Sequence, residues 1–193
     1  MLAVILIGGQ SSRMGRDKAM LTVDGKPMAL LLAERFASAG FDTAFSVDRA
    51  GRFPIDCGRE FVDAFPGQGP LNGLYGAFTQ TEAPCVLLMG TDLPSADPAL
   101  AKRLEALCGD HDACMIRRCD GTVETLFGVY SRTCLPVVTE CLREGRRAVR
   151  AALDKLHVRY VDETELPEWD IPRVLQNVNT PEAFADFLSA GEK

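Results

Sequence analysis

The amino-acid sequence predicts an α/β fold of three layers, Rossmann-like in plan, with a mostly parallel central sheet between two layers of helices. Three observations predict it. Residues 2 to 7 and 85 to 89 are continuous apolar runs, the mark of strands buried on both faces as in a parallel sheet. Segments with helical start and stop signals alternate with such runs along the whole chain. Loops 8 to 18, 46 to 48, 63 to 73 and 90 to 94 each follow a predicted strand, and ligands in such folds bind beyond the carboxyl ends of strands.

The elements follow in order. Leu2 to Ile7 reads as the first buried strand, and residues 8 to 18 as a loop. Asp24-Gly25 is a turn signal. A helix opens near Pro27, which suits a first turn, and closes at Gly40. Thr43 to Val47 is the next strand, and Glu60 to Val62 a short third one ending at Asp63. The glycines and prolines of 65 to 73 make a loop, followed by a helix from Leu71 to Gln80. Cys85 to Met89 is a strand ending in Gly90-Thr91-Asp92. Asp97-Pro98 supplies an N-cap and first turn for a helix through Leu107. Ala113 to Ile116 and Thr125 to Tyr130 read as strands, Thr133 to Arg143 and Arg147 to Leu156 as helices, and Val158 to Val161 as a strand. Thr180-Pro181 opens a last helix through Leu188. With no repeat, low-complexity tract or linker in view, residues 1 to 193 are expected to form a single domain.

Composition removes several function classes. A net charge of -6 argues against a general nucleic-acid binder, whose footprint would be basic. No run approaches the ~20 apolar residues of a membrane span, and MLAVILIGG lacks the layout of a secretory signal. The 7 cysteines are odd in number and include no CxxC pair, which speaks against a zinc site or disulfide framework and for a reducing cytoplasm. His111 and His157 have no carboxylate or cysteine partner evident in the sequence and read as ordinary surface or edge residues.

The chemistry centres on ILIGGQSSRMGRDKAML, residues 5 to 21. Glycines let successive backbone N–H groups cradle oxyanions. Arg13 offers a planar fork for phosphate and Lys18 a point charge. The loop fits neither GxxxxGK[ST] nor GxGxxG. On composition alone, a Gly-Gly turn with solvated basic residues stands level with a phosphate cradle. Asp92, at the end of an apolar strand, likewise suits either a divalent ion shared with phosphates or a simple turn.

Four segments in order carry a resemblance that covers nearly the whole chain. LIGGQSSRMGRDK is similar to the LxGGxSxRMGxDK signature of nucleotidyltransferases. GPLNGL (69 to 74) resembles their PLxGL loop, GTDLP (90 to 94) their metal-binding turn, and NVNTPE (177 to 182) the C-terminal motif of the molybdenum cofactor guanylyltransferase, or MobA, family. The resemblance implies a nucleotidyltransferase version of the three-layer fold. It implies that Leu6, Ile7, Gly8 and Gly9 line the nucleotide, and that Arg13 and Lys18 meet the phosphates of GTP. Asp63 matches a nucleotide contact after the third strand. Ser46 falls where the family often has asparagine, a departure from its pattern, with Asp48 two residues on. Asp92 matches the magnesium ligand, so Mg2+ is the expected cofactor, and Lys18, Arg13 and Asp92 are the expected catalytic set.

The implied partners are GTP and Mo-molybdopterin, whose terminal phosphate is already a nucleophile, together with molybdoenzyme chaperones that would collect the product. Asn177 and Asn179 alternate along an extended segment and so share a face suited to the pterin, or else help cap the Thr180 helix. Arg146 or Arg147 could meet the acceptor phosphate or simply begin a helix in solvent, and Arg117 and Arg118 have a weaker case for the same role. Rival readings are a cytidylyltransferase for the same cofactor, a sugar-phosphate nucleotidyltransferase and a non-catalytic cofactor-binding chaperone. LIGG and GPLNG favour guanine over cytosine, NVNTPE and the short chain count against a sugar phosphate, and Asp92 with Lys18 counts against a chaperone.

Overall fold

The computed structural model describes residues 1–7, 21–23, 25–51, 58–65, 67, 69–180, 182–185 and 187. It begins with β1 (Leu2–Leu6). A two-stranded hairpin of β2 (Thr22–Val23) and β3 (Lys26–Pro27) turns at Gly25, whose φ of 78° favours glycine. There follow α1 (Met28–Ser38), β4 (Asp42–Val47), β5 (Glu60–Val62), α2 (Leu71–Gln80) and β6 (Cys85–Gly90). Next come α3 (Pro98–Cys108), β7 (Ala113–Arg117), β8 (Val123–Ser131), α4 (Leu135–Arg143), α5 (Val149–Leu153), β9 (Val158–Asp162) and α6 (Ile171–Val174).

Seven strands form the central sheet in the order β5-β4-β1-β6-β8-β7-β9. All pairings are parallel except those of β8, which runs antiparallel to both β6 and β7. The reason is local. Only residues 118 to 122 join β7 to β8, with Arg118 N–H donating to the Thr122 carbonyl, and such a tight hairpin leaves no room for the crossover a parallel pair needs.

Strand periodicity divides the core into two. Ala3, Ile5 and Ile7 pack on one face with Leu32 and Phe36 of α1, Leu100 and Leu104 of α3, and Ile171 of α6. Leu2, Val4 and Leu6 point the other way, against Leu74 and Phe78 of α2, Val138 of α4 and Leu153 of α5. From β1 the chain moves outward to β4 and β5, then returns to place β6 on the other side of β1. In such sheets the ligand crevice lies beyond the carboxyl ends of the strands where strand order reverses, which in this order is beyond β1 and β6.

Three helical expectations are amended. The helix expected from Thr133 begins as a 3-10 turn, Arg132–Cys134, with the Ser131 hydroxyl accepting from Thr133 N–H. The helix expected over 147 to 156 keeps only Val149–Leu153. Gly145, at φ 72°, and extended Ala148 delay its start, and the Lys155 N–H to Ala152 carbonyl bond tightens its end into a turn. A short helix, α6, appears where none was expected, capped by Asp170. Of the last expected helix, residues 182–185 and 187 are helical, with Thr180 Oγ1 accepting from Ala183 N–H at 3.2 Å. Among the described residues no helix is long and apolar enough to cross a membrane.

Candidate active site

The residues expected to meet the nucleoside lie where β1, β4 and β5 finish. Ile7 continues β1 by donating its N–H to the Ser46 carbonyl at 3.1 Å, and Asp63 N–H donates to the Val47 carbonyl at 2.9 Å. The buried Ser46 hydroxyl donates to Asp63 Oδ1 at 3.4 Å. Burial pushes the Asp63 carboxyl up to about 6; the Ser46 hydroxyl partly offsets this, while the negative charge of Asp48 adds to it. Leu6, Ile7, Ser46 and Asp63 are thus brought together. A carboxylate beside a hydroxyl can accept from ring N–H, amino or ribose O–H groups.

Above them sits the start of α2. Asn72 is buried and closes the preceding loop on itself: its amide nitrogen donates to the Phe65 carbonyl at 2.7 Å and its amide oxygen accepts from Phe65 N–H at 3.0 Å. Gly73 lets α2 press directly on the sheet. A β-carbon there would lie 2.9 Å from Leu6 Cδ2, 3.2 Å from Leu88 Cδ1 and 3.2 Å from Ser46 Oγ. The first turn of α2, whose Asn72 and Gly73 N–H groups donate to the Gly69 and Pro70 carbonyls, therefore lies near the Ser46–Asp63 pair, and the positive end of the helix dipole favours negative charge there. A β-carbon on Gly69, at φ 68°, would lie 3.1 Å from the Arg147 carbonyl oxygen, so Gly69 and the basic turn after α4 are neighbours.

The second half of the crevice is the turn after β6. Asp92 is half-buried and folds its carboxylate back over Gly90; a β-carbon on Gly90 would collide with Asp92 Oδ1. Thr91 Oγ1 reaches the Leu6 carbonyl at 3.5 Å, tying this turn to β1. From α1, Arg35 donates to the Pro94 carbonyl at 2.6 Å and the Ala96 carbonyl at 3.1 Å. Asp97 caps α3 through Ala99 N–H and accepts from Trp169 Nε1 at 2.8 Å. The Asp92 turn is thus braced from α1 and from the segment before α6.

The extended segment after α6 crosses the same turn. Val178 N–H donates to the Asp92 carbonyl at 2.8 Å, and the Val178 side chain is buried. Asn177 and Asn179, on the alternate face, are exposed. The structure therefore sets the segment bearing both asparagines against the turn bearing Asp92. At the start of the last helical stretch Thr180 Oγ1 accepts from Ala183 N–H.

Gly8, Gly9, Arg13 and Lys18, predicted to meet the phosphates, lie outside the described residues. Arg146 pairs with Glu144 at 3.0 Å on the exposed turn after α4, and Arg147 on that turn is exposed as well. Arg117 forks onto Asp162 at 2.6 and 3.0 Å, so it is engaged with β9. The two histidines, half-buried His111 and exposed His157, are partners of each other. Their rings stack at 4.1 Å, and His111 Nδ1 lies 2.9 Å from the Cys108 carbonyl and 3.6 Å from Asp110. They sit at the end of β7 and β9 opposite the crevice. Among the described residues the cysteines are free thiols.

Sequence reasoning missed Arg35, Asn72 and the structural use of Arg118, which donates to the Leu175 carbonyl at 2.8 Å. Asn72 lay within a recognised motif, GPLNGL, and its amide opposite an apolar helix face was the available signal. The two arginines bond to distant backbone carbonyls, which carry no residue-type signature.

Comparison with known proteins identifies the family and the fold. Residues 3–159 match the family described as the MobA-like NTP transferase domain. The chain is 28% identical over 197 residues to a probable molybdenum cofactor guanylyltransferase of Geobacillus sp. strain WCH70, covering 98% of both chains. It is 33% identical over 191 residues to a protein of the same description from Nostoc sp. strain PCC 7120, covering 95% of this chain and 88% of that one. The crystal structure of molybdopterin-guanine dinucleotide biosynthesis protein A from Archaeoglobus fulgidus superposes with a TM-score of 0.84 at 20% identity, over 100% of this chain and 99% of that one. The chain belongs to the MobA-like NTP transferase domain family.

Proposed function

We infer that the chain is a molybdenum cofactor guanylyltransferase. It transfers GMP from GTP to the terminal phosphate of Mo-molybdopterin, releases pyrophosphate and yields Mo-molybdopterin guanine dinucleotide. One observation supports this most: the segment bearing Asn177 and Asn179 is hydrogen-bonded, through Val178, to the turn bearing Asp92, at the strand ends that also gather Ile7, Ser46 and Asp63. This adjacency supports placing a nucleotide side and an acceptor side on either side of the Asp92 turn.

The residues divide the work. Leu6 and Ile7 line the nucleoside with their backbones, and Ser46 with Asp63 offers acceptors to it. Gly8 and Gly9 approach the phosphates closely, while Arg13 and Lys18 neutralise them. Asn177 and Asn179 present amides, each both donor and acceptor, to the pterin. An acceptor-phosphate oxygen forms a bond to the α-phosphorus of GTP. The bond from that phosphorus to the bridging oxygen breaks, and pyrophosphate leaves with its electron pair. The nucleophile is already anionic, so no side chain need take a proton. Positioning and charge neutralisation supply the catalysis.

Asp92 fits a divalent cation such as Mg2+. Its hard oxygen donors lie half-buried at the end of a rigid strand, and among the described residues no cluster of three or more His, Cys, Asp or Glu side chains would form a closed cage. A single carboxylate supplemented by phosphate oxygens and water is the usual magnesium arrangement. When bound, the ion would supply charge neutralisation to the triphosphate and to departing pyrophosphate. The unpaired thiols suit a cytoplasmic setting for this chemistry. The test is incubation with Mo-molybdopterin, Mg2+ and each nucleoside triphosphate in turn, followed by nucleotide analysis of the cofactor. GMP released from the product of the GTP reaction is expected; CMP formed preferentially from CTP overturns the guanine assignment.

A further inference from the structure

The acceptor segment is held in place by a residue that touches neither substrate in the scheme above. α6 delivers the chain to Leu175, whose side chain is fully buried, and residues 176 to 179 then cross the Asp92 turn. Gln176 N–H donates to the Arg173 carbonyl at 3.3 Å, continuing the turn out of α6, and two further hydrogen bonds tie this strap to the rest of the fold. Val178 N–H donates to the Asp92 carbonyl at 2.8 Å. Arg118 Nη2 donates to the Leu175 carbonyl at 2.8 Å. Only Gln176 and Asn177 lie between these anchors.

Arg118 is itself anchored. Its side chain is 20% exposed and meets Glu124 Oε2 at 3.5 Å, with Glu124 12% exposed. The other oxygen of Glu124 accepts from Leu126 N–H at 3.2 Å. Leu126 lies over Gly90, whose added β-carbon would sit 3.7 Å from Leu126 Cβ. A ring of contacts therefore closes around the Asp92 turn: Gly90 to Leu126, Glu124 to Arg118, Leu175 to Val178, and Val178 back to Asp92. Burial shields the Arg118–Glu124 pair from solvent screening more than an exposed pair would be.

We propose that Arg118 is a positioning residue for the acceptor substrate. By holding the Leu175 carbonyl it sets where Asn177 presents its amide relative to Asp92. A fixed guanidinium suits this task because its several donors can serve a carbonyl and a carboxylate together. Without it the strap keeps the Val178 anchor, the Gln176 turn and the buried Leu175 side chain, but loses the one side-chain tie on the Leu175 carbonyl beside Gln176 and Asn177. Ordering the strap then falls to the acceptor as it binds, which weakens acceptor binding and leaves the nucleotide side, built on β1, β4 and β5, unaffected.

The proposal rests on the reading of Asn177 as an acceptor contact, and the experiment separates the two. Steady-state KM for GTP and for Mo-molybdopterin is measured for wild type, Arg118→Met, Arg118→Lys, Asn177→Ala and the Arg118→Met/Asn177→Ala double variant, with Tm recorded for each. Arg118→Met is expected to raise acceptor KM by at least about fivefold while GTP KM stays within about twofold, and Arg118→Lys, which keeps a donor, to fall between. The double variant should lose less than the product of the single losses, since both act through one amide. Should Arg118→Met fail to fold, Arg118→Lys carries the same comparison. Acceptor KM unchanged in Arg118 variants while Asn177→Ala raises it overturns the positioning role alone. No effect of Asn177→Ala on acceptor KM overturns the underlying reading. Parallel increases in both KM values on Arg118 substitution show a general structural role and also overturn the proposal.

Discussion

Gly73→Ala separates two effects of opposite sign. Alanine is the better helix former by up to ~1 kcal/mol in a helix interior, and Gly73, third in α2, should realise only part of that. Against this stands overpacking. The new methyl would lie 2.9 Å from Leu6 Cδ2 and 3.2 Å from both Leu88 Cδ1 and Ser46 Oγ. Leu88 is fully buried, and the Ser46 hydroxyl is held by Asp63, so neither yields freely. Inserted methylenes in packed cores cost ~1–3 kcal/mol, which leaves a net destabilisation of about 1 kcal/mol after the propensity gain. For a chain of this size that is a fall of about 2–4 °C in Tm. Because the displaced atoms border the proposed nucleoside site, GTP KM should rise several-fold and acceptor KM little. Gly76→Ala is the control. Its β-carbon meets Phe61 Cβ at 2.9 Å, one turn further from the crevice, so it should cost similar stability without moving GTP KM. The assays are thermal melting and steady-state kinetics. A Gly73→Ala protein with raised Tm and unchanged GTP KM would refute the packing account.

Three further outcomes are expected. Asp92→Asn should fold normally by thermal melting and lose at least about a hundredfold in turnover at ordinary Mg2+, several kcal/mol of Lewis-acid stabilisation being removed; near-normal turnover would place the ion elsewhere. Asp63 ionises at about 6 in the fold against an ordinary 3.8, so the folded state binds its proton more tightly. Its burial cost is absent below the ordinary value, grows as pH rises between the two, and is complete above about 6. Asp63→Asn should therefore gain Tm relative to wild type as pH rises through that window, while losing GTP affinity at neutral pH; superimposable pH profiles would contradict this. Lys18→Ala should melt like wild type and lose a few kcal/mol of transition-state stabilisation for GTP, on the order of a hundredfold or more in kcat/KM, and wild-type kcat/KM would remove Lys18 from the phosphate loop.

How far the structure was legible varies with the range of the forces involved. β5 and α2 fall at their expected residues because apolar patterning, Asp63 and the prolines mark their ends locally. The carboxyl ends of β1, β4, β5 and β6 were legible for the same reason, and with them Ser46, Asp63 and Asp92. The Arg147 to Leu156 helix was overextended because its helix-forming residues carry no sign of Gly145's positive φ or of extended Ala148. The direction of β8 follows from a five-residue hairpin whose shortness was visible, although the alternating pattern suggested another parallel strand. Arg35 reaches a carbonyl 59 residues away and Arg118 one 57 residues away. Backbone carbonyls are present at every position, so such bonds leave no pattern to read. The raised Asp63 carboxyl depends on burial and on Asp48, fifteen residues earlier, and neither could be weighed before the strands were placed.

Guanylyl transfer requires that GTP give up its α-phosphoryl group, as GMP, to Mo-molybdopterin. Parallel reactions with GTP labelled on the α-phosphorus and on the γ-phosphorus test it most directly, with the label followed into isolated cofactor and into pyrophosphate. The account predicts α-label in the cofactor, γ-label in pyrophosphate, and the two in equal amounts. γ-label in the cofactor would mean phosphoryl rather than guanylyl transfer. Label in neither, with GTP bound intact, would mean a binding protein rather than a transferase, and either result would contradict the account.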